Sequence, residues 1–153
     1  MKNKKLVTLL LALVLTLALL PMSVFAAQRN VTADSKASIT IENAVENDVL
    51  AAYNVVNITY NAGTNTLAYA WTSEMIKNYF ENGTTNGTGT AYTVEAFAAL
   101  TDDSADLKAL LANLPKYLAD NSVAAVDTQT VAADGTAKFA NLAMGEYFIR
   151  PTS

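Results

Sequence analysis

The chain has 153 residues, 52% of them apolar, with no Cys and no His. No disulfide can therefore hold the fold, and the commonest general base near neutral pH and the commonest metal ligand are both missing. Ser–His–Asp, Cys–His and zinc arrangements are excluded within the chain, and 14 acidic residues against 10 basic ones argue against nucleic acid or anionic lipid as a partner.

Lys2, Lys4 and Lys5 precede an apolar run over residues 6–20 that is interrupted only by Thr8 and Thr16 and broken by Pro21. Val24-Phe25-Ala26 then supplies small residues at the recognition positions, which predicts a secretory signal peptide cut between Ala26 and Ala27. The 15-residue run is shorter than the roughly 20 residues a membrane-spanning helix needs. The mature chain, residues 27–153, has 7 basic residues against 14 acidic ones, a net charge of −7, and no predicted membrane segment. Its 127 residues suit one extracellular domain with room for a core.

Residues 27–36 read as a flexible polar lead-in. Ile39 and Ile41 alternate with Ser38 and Thr40, predicting a first strand. A polar turn over residues 42–48 leads to a second strand over 52–60, in which neither face is cleanly apolar, so cover on both sides is expected. Residues 61–65, Asn-Ala-Gly-Thr-Asn, predict a hairpin loop with Gly63 taking the unusual dihedral. Leu67, Tyr69 and Trp71 form the inward face of the returning strand.

The period then changes. Ser73 caps a short helix carrying Met75, Ile76, Tyr79 and Phe80 at helical spacing. The run from Asn82 to Thr90 (NGTTNGTGT) predicts a flexible loop. It has no following Lys-Ser/Thr or βαβ context, so a phosphate-cradling role is not supported. Helices are expected over residues 93–100, with Val94, Phe97 and Leu100, and 104–121, with Leu107, Leu110, Leu111, Leu114 and Leu118. Pro115 predicts a kink or a break and restart. A weakly alternating stretch over 123–131, an Asp134-Gly135 turn, a strand over 136–140, a corner over 141–145 and a final strand from Glu146 to Arg150 complete the pattern. The order is three strands, a helical block, then three strands. It predicts a mainly β antiparallel sandwich with a helical insertion between two strand groups.

No catalytic, cofactor or metal constellation emerges, so a non-enzyme is expected. Asp102, Asp103 and Asp106 suit the positive end of a helix and lack the Gly and terminal Glu of a calcium loop. Glu42, Glu46 and Asp48 are the nearest candidates for paired hydrolytic carboxylates, and surface solvation explains them more simply. Acceptor triplets for N-glycosylation begin at Asn30, Asn57, Asn82 and Asn86 in a chain rich in Thr.

The opening Ile39–Ile41 strand with AAYNVVNITYN after it, the central helical block, and the closing KFANLAMGEYFI at residues 138–149 together resemble the N-terminal domain of Gram-positive, sortase-assembled surface pilins. The closing segment is similar to that family's F-x-N-L-x-x-G-x-Y strand–corner–strand, and the match covers residues 37–150. The resemblance implies an immunoglobulin-like sandwich displayed on a pilus or cell wall. It also implies other pilin subunits and a sortase as partners, and host surface ligands where adhesion is involved. Many such domains carry an internal Lys–Asn or Lys–Asp isopeptide bond assisted by a buried acid. Lys36 is the residue matching a donor, and Asn141 is a poor acceptor because it lies in the corner. Lys116, in Leu114-Pro115-Lys116-Tyr117, reads as a solvated helix lysine. No sorting motif, apolar anchor or basic tail follows the closing strand. The chain therefore reads as the leading domain of a longer subunit, or else as a short secreted protein. The alternatives in function are an adhesin module that binds host protein or glycan through the Asn82–Thr90 loop and Tyr92 or Tyr117, and, less favoured, a secreted hydrolase.

Overall fold

A computed structural model describes residues 35–101 and 103–152. The predicted leader, its cleavage position between Ala26 and Ala27, most of the lead-in, and Asp102 lie outside the described residues. Among the described residues six strands and four helices follow in chain order: β1 (Ala37–Ile41), β2 (Val49–Asn61), β3 (Thr66–Trp71), α1 (Glu74–Glu81), α2 (Gly83–Asn86), α3 (Val94–Ala98), α4 (Ala105–Asp120), β4 (Asp127–Thr130), β5 (Ala137–Leu142) and β6 (Gly145–Pro151). The protein is mainly β, with two antiparallel sheets and a helical block between the strand groups.

β2 is the hub. Val56 pairs with Trp71 of β3 and with Glu146 of β6, so those strands lie on opposite edges of β2. Leu50, Ala51 and Ala52 likewise pair with both β4 and β6. β3 and β4 therefore share one edge of β2, end to end, and β6 runs along the other. A register shift between Asn54 and Val56 bends β2 between its two halves. β1 and β5 form a separate two-stranded sheet, also with an irregular register, between Ala37 and Ile39.

The central sheet is covered on both faces, as the mixed pattern of β2 predicts. On one face Leu50, Ala52, Tyr147 and Ile149 meet Ile39, Ile41, Ala137, Phe139 and Leu142 of the β1–β5 sheet, with Val131. On the other, Val55, Val56 and Phe148 meet the helices through Ile76, Tyr79, Phe80, Val94, Phe97 and the leucines of α4. All five leucines of the predicted stripe, Leu107, Leu110, Leu111, Leu114 and Leu118, are buried. Each contributes roughly 2 kcal/mol of transfer free energy before entropy is counted. Trp71 stacks on Phe80, with centroids 4.6 Å apart and planes 3° apart, and Tyr79 meets Phe80 edge-on.

Several local expectations change. α4 runs unbroken through Pro115, because its leucine face is anchored on both sides of the proline. In the β2–β3 hairpin it is Asn65, at φ 55°, that takes the left-handed conformation, and Gly63 does not. Asn61 Oδ1 accepts from the Gly63 and Thr64 amides, so the side chain supplies part of the turn. Leu67, Tyr69 and Trp71 are half-buried, since the helices cover this hairpin only in part.

The predicted loop over residues 82–90 contains the helical turn α2. Asn82 Oδ1 caps it by accepting from the Thr84 and Thr85 amides. Asn86 is wholly buried. Its Nδ2 donates to the carbonyls of Phe80 and Thr90, and its Oδ1 accepts from the Thr88 amide and hydroxyl. Asn113 Nδ2 on α4 donates to the Asn86 carbonyl at 2.9 Å, fixing the corner to the long helix.

Candidate functional site

The features that bear on function lie along the β2–β6 ladder. The corner between β5 and β6 carries the chain from the smaller sheet to the larger. Phe139 and Leu142 are buried beneath the β1–β5 sheet, and Asn141 adopts φ 58°. Gly145 then brings the chain so close to β2 that a Cβ there would collide with the Val56 carbonyl and lie 2.9 Å from Asn54 Oδ1. The Ile58 amide donates to the Met144 carbonyl at 3.1 Å, and the Tyr147 hydroxyl to the Ala143 carbonyl at 2.7 Å, locking the corner.

Three buried side-chain atoms lack hydrogen-bond partners among the described residues: Asn54 Oδ1, Glu146 Oε2 and Arg150 Nε. All three belong to residues of the β2–β6 ladder. Asn54 and its partner Tyr147 face the β1–β5 sheet, and Asn54 Nδ2 donates to Asn57 Oδ1 at 3.0 Å. Glu146 and Arg150 alternate with Tyr147 and Ile149 and so share the helix-facing side with Phe148. Glu146 is 2% exposed. Burial pushes its carboxyl well above the ordinary carboxylate range, to about 7. Burial also raises the Tyr69 hydroxyl, and the charge of Glu146 raises it further. A carboxyl in this setting can hold or release a proton near neutral pH. No group of three or more Asp or Glu side chains among the described residues could hold a metal ion.

Lys36 is exposed just before β1, and Asn141, expected in the corner, is instead an exposed residue near the end of β5. Glu146, the buried acid, faces the helices, on the opposite side of the central sheet from the β1–β5 sheet. The structure therefore does not bring Lys36 and a buried acid together. Lys116 is 80% exposed and pairs with Asp120 one turn on, as expected of a solvated helix lysine. Glu42 and Glu46 are exposed on the β1–β2 connection, and Asp48 is partly so. Of the candidate glycan acceptors, Asn86 is excluded in the folded state by its burial and its four hydrogen bonds.

Of the proposed ligand-binding residues, Tyr92 is buried and donates to Asp106 Oδ2 at 2.6 Å, and the Tyr117 hydroxyl donates to the Met75 carbonyl. Both hydroxyls are engaged within the fold. An open polar groove of about 410 Å³ lies beside α1, lined by Glu74, Lys77, Asn78, Glu81, Asn82 and Gly83. No helix among the described residues is long and apolar enough to cross a membrane.

Sequence reasoning missed Glu146. Its signal was available: a single acid in phase with Phe148 in the strand GEYFIRP, on a face that must be buried if the strand is central. In comparisons with known proteins, no family model and no curated protein matches the chain.

Proposed function

We propose that this chain is an extracellular structural subunit of a Gram-positive pilus or fimbria, or a domain of one, with the two sheets forming an immunoglobulin-like sandwich. The observation that supports the reading is what the closing segment does. The residues that carry the pilin resemblance are those that make the strand–corner–strand: Phe139 and Leu142 seal the smaller sheet, Gly145 permits contact with β2, and Tyr147 ties back to Ala143. A motif whose apolar, glycine and tyrosine positions each have a packing role is one that a shared fold would preserve.

The leader-like N-terminus and the absence of Cys fit an exported domain held by packing alone. In this reading the domain contributes to surface display and adhesion. A sortase and further pilin subunits are its partners, and the exposed Lys36 side chain has no role in an internal cross-link.

The test is a wall extract of the source organism, boiled in detergent and probed with antibody against residues 35–152. A ladder of high-mass bands that collapses when the sortase is deleted is the expected result. A single band at monomer mass would sink the pilus reading. If that single species also bound immobilised host glycans or matrix proteins, the adhesin reading would take its place.

A further inference from the structure

Two Asn-Gly pairs, Asn82-Gly83 and Asn86-Gly87, lie in the corner that follows α1. In such a pair the glycine has no side chain to hinder its nitrogen, which can close on the asparagine side chain to form a five-membered succinimide. The fold sets the two pairs in opposite states.

Asn86 is locked. It is buried, its Nδ2 donates twice and its Oδ1 accepts twice, so ring closure must first break four hydrogen bonds. Asn113 also crowds the neighbouring glycine: a Cβ on Gly87 would lie 2.7 Å from Asn113 Nδ2.

Asn82 is open. It is exposed, and with Gly83 it lines the polar groove beside α1, where water and hydroxide reach it. Its Oδ1 accepts from the Thr84 and Thr85 amides at 3.0 and 3.1 Å. Those donors draw electron density from Cγ, the carbon under attack, and stabilise the charge that develops on Oδ1. Its Nδ2, the leaving nitrogen, has no hydrogen-bond partner among the described residues.

We propose that Asn82-Gly83 is a spontaneous modification site, at which water converts the Asn82 amide to an isoaspartyl linkage and thereby releases the corner over residues 82–90. The Gly83 nitrogen gives its proton to hydroxide and attacks Asn82 Cγ. The N–Cγ bond forms, the Cγ–Nδ2 bond breaks, and Nδ2 takes up a proton and leaves as ammonia. Water then opens the ring. Attack at Cγ yields aspartate. Attack at the main-chain carbonyl yields isoaspartate, in which the backbone runs through the side chain and is one methylene longer.

The corner cannot absorb that methylene. Gly83 packs so tightly that a Cβ would lie 2.4 Å from the Gly89 carbonyl carbon. The Gly89 amide donates to the Gly83 carbonyl and the Asn86 amide to the Asn82 carbonyl. Lengthening the chain between residues 82 and 83 breaks this set together with the Asn82 cap, so Asn86 is unlocked and becomes reactive in turn. The site does not depend on the pilus reading, because every residue it uses belongs to the fold itself.

Both cores draw only on residues from 37 to 149, so a chain of residues 27–153 retains every core contact and is suitable for the test. The chain is incubated in buffer from pH 6 to pH 9 beside a peptide of residues 78–90. Peptide mapping with an isoaspartyl-specific methyltransferase follows each asparagine. Asn82 should convert within about tenfold of its rate in the peptide, faster at higher pH, and Asn86 at least about tenfold more slowly than Asn82. Chains isolated with isoaspartate at 82 should show fast amide exchange over residues 82–90 and conversion of Asn86 near the peptide rate. Asn82→Ser keeps a capping oxygen without an amide to lose, so in that variant Asn86 should stay protected throughout. An unreactive Asn82 in the folded chain would overturn the proposal. So would equal rates at Asn82 and Asn86 from the start, or an isoaspartyl-82 chain whose corner and Asn86 remain protected.

Discussion

Glu146 pairs with Val56 at the centre of the β2–β6 ladder, and its Oε2 has no hydrogen-bond partner among the described residues. On the same helix-facing side lie Arg150 from its own strand and Tyr69 from β3. An unfolded chain loses this carboxyl proton near 4.5, whereas the folded chain holds it to about 7. Between those values the unfolded state binds fewer protons, so folding stability falls as pH rises through the window and levels off above it. Reduced for solvent screening, the effect is on the order of 2 kcal/mol. Glu146→Gln removes the titration. Its melting temperature at pH 8 should stay near its pH 5 value, while the native chain melts several degrees lower at pH 8 than at pH 5. Equal pH slopes in the two proteins would clear Glu146 as the cause.

Gly145→Ala should destabilise the protein by about 2–4 kcal/mol, because the new Cβ meets backbone that cannot move without breaking the ladder. Gly63→Ala is the control. Its Cβ would lie 3.3 Å from Asn61 Oδ1, a side-chain end that can give by a few tenths of an ångström while keeping its turn hydrogen bonds, and its φ is not in the left-handed region, so a change of no more than about 1 kcal/mol is expected. Urea unfolding of the two variants decides it. Similar losses would mean that the corner tolerates a side chain.

Asn86→Ala removes four hydrogen bonds and strips the Thr88 amide of its acceptor, while the Phe80 carbonyl keeps the Tyr92 amide and the Thr90 carbonyl keeps the Thr88 hydroxyl. A loss of about 3 kcal/mol is expected, with new proteolytic cleavage confined to residues 82–90. A fully protected corner in the variant would show that Asn113 and the Asn82 cap hold it without Asn86.

These positions show what the sequence could and could not convey. The Leu107–Leu118 stripe and the Ile39/Ile41 alternation were legible because burial there follows the period of a single element. The corner over residues 82–90 was not, because its order comes from a buried amide and from Asn113 on a distant helix, while its Asn, Gly and Thr content looks like any solvated loop. The pairing of β1 with β5 joins residues about one hundred positions apart, and no local pattern encodes it. Glu146 is hard to read from sequence because a charge in a strand ordinarily marks the solvent side. The two-sided cover of the central sheet reverses that inference here.

Pro115 offers the reverse kind of test, a substitution that should stabilise. It lies inside the continuous helix α4, where it cannot donate to the Leu111 carbonyl and its ring crowds the preceding turn. The helix survives because Leu111, Leu114 and Leu118 are buried on both sides of the proline, so packing offsets the local cost. Pro115→Ala restores a donor and a good helix former at a half-buried position. It also frees the unfolded chain by somewhat less than 1 kcal/mol, which works against the gain. The net expectation is a stabilisation of about 1–2 kcal/mol by urea unfolding, with amide exchange slowed at residues 111–119. A destabilised variant would mean that the proline ring fills core volume that alanine leaves empty, and that Pro115 is held for packing.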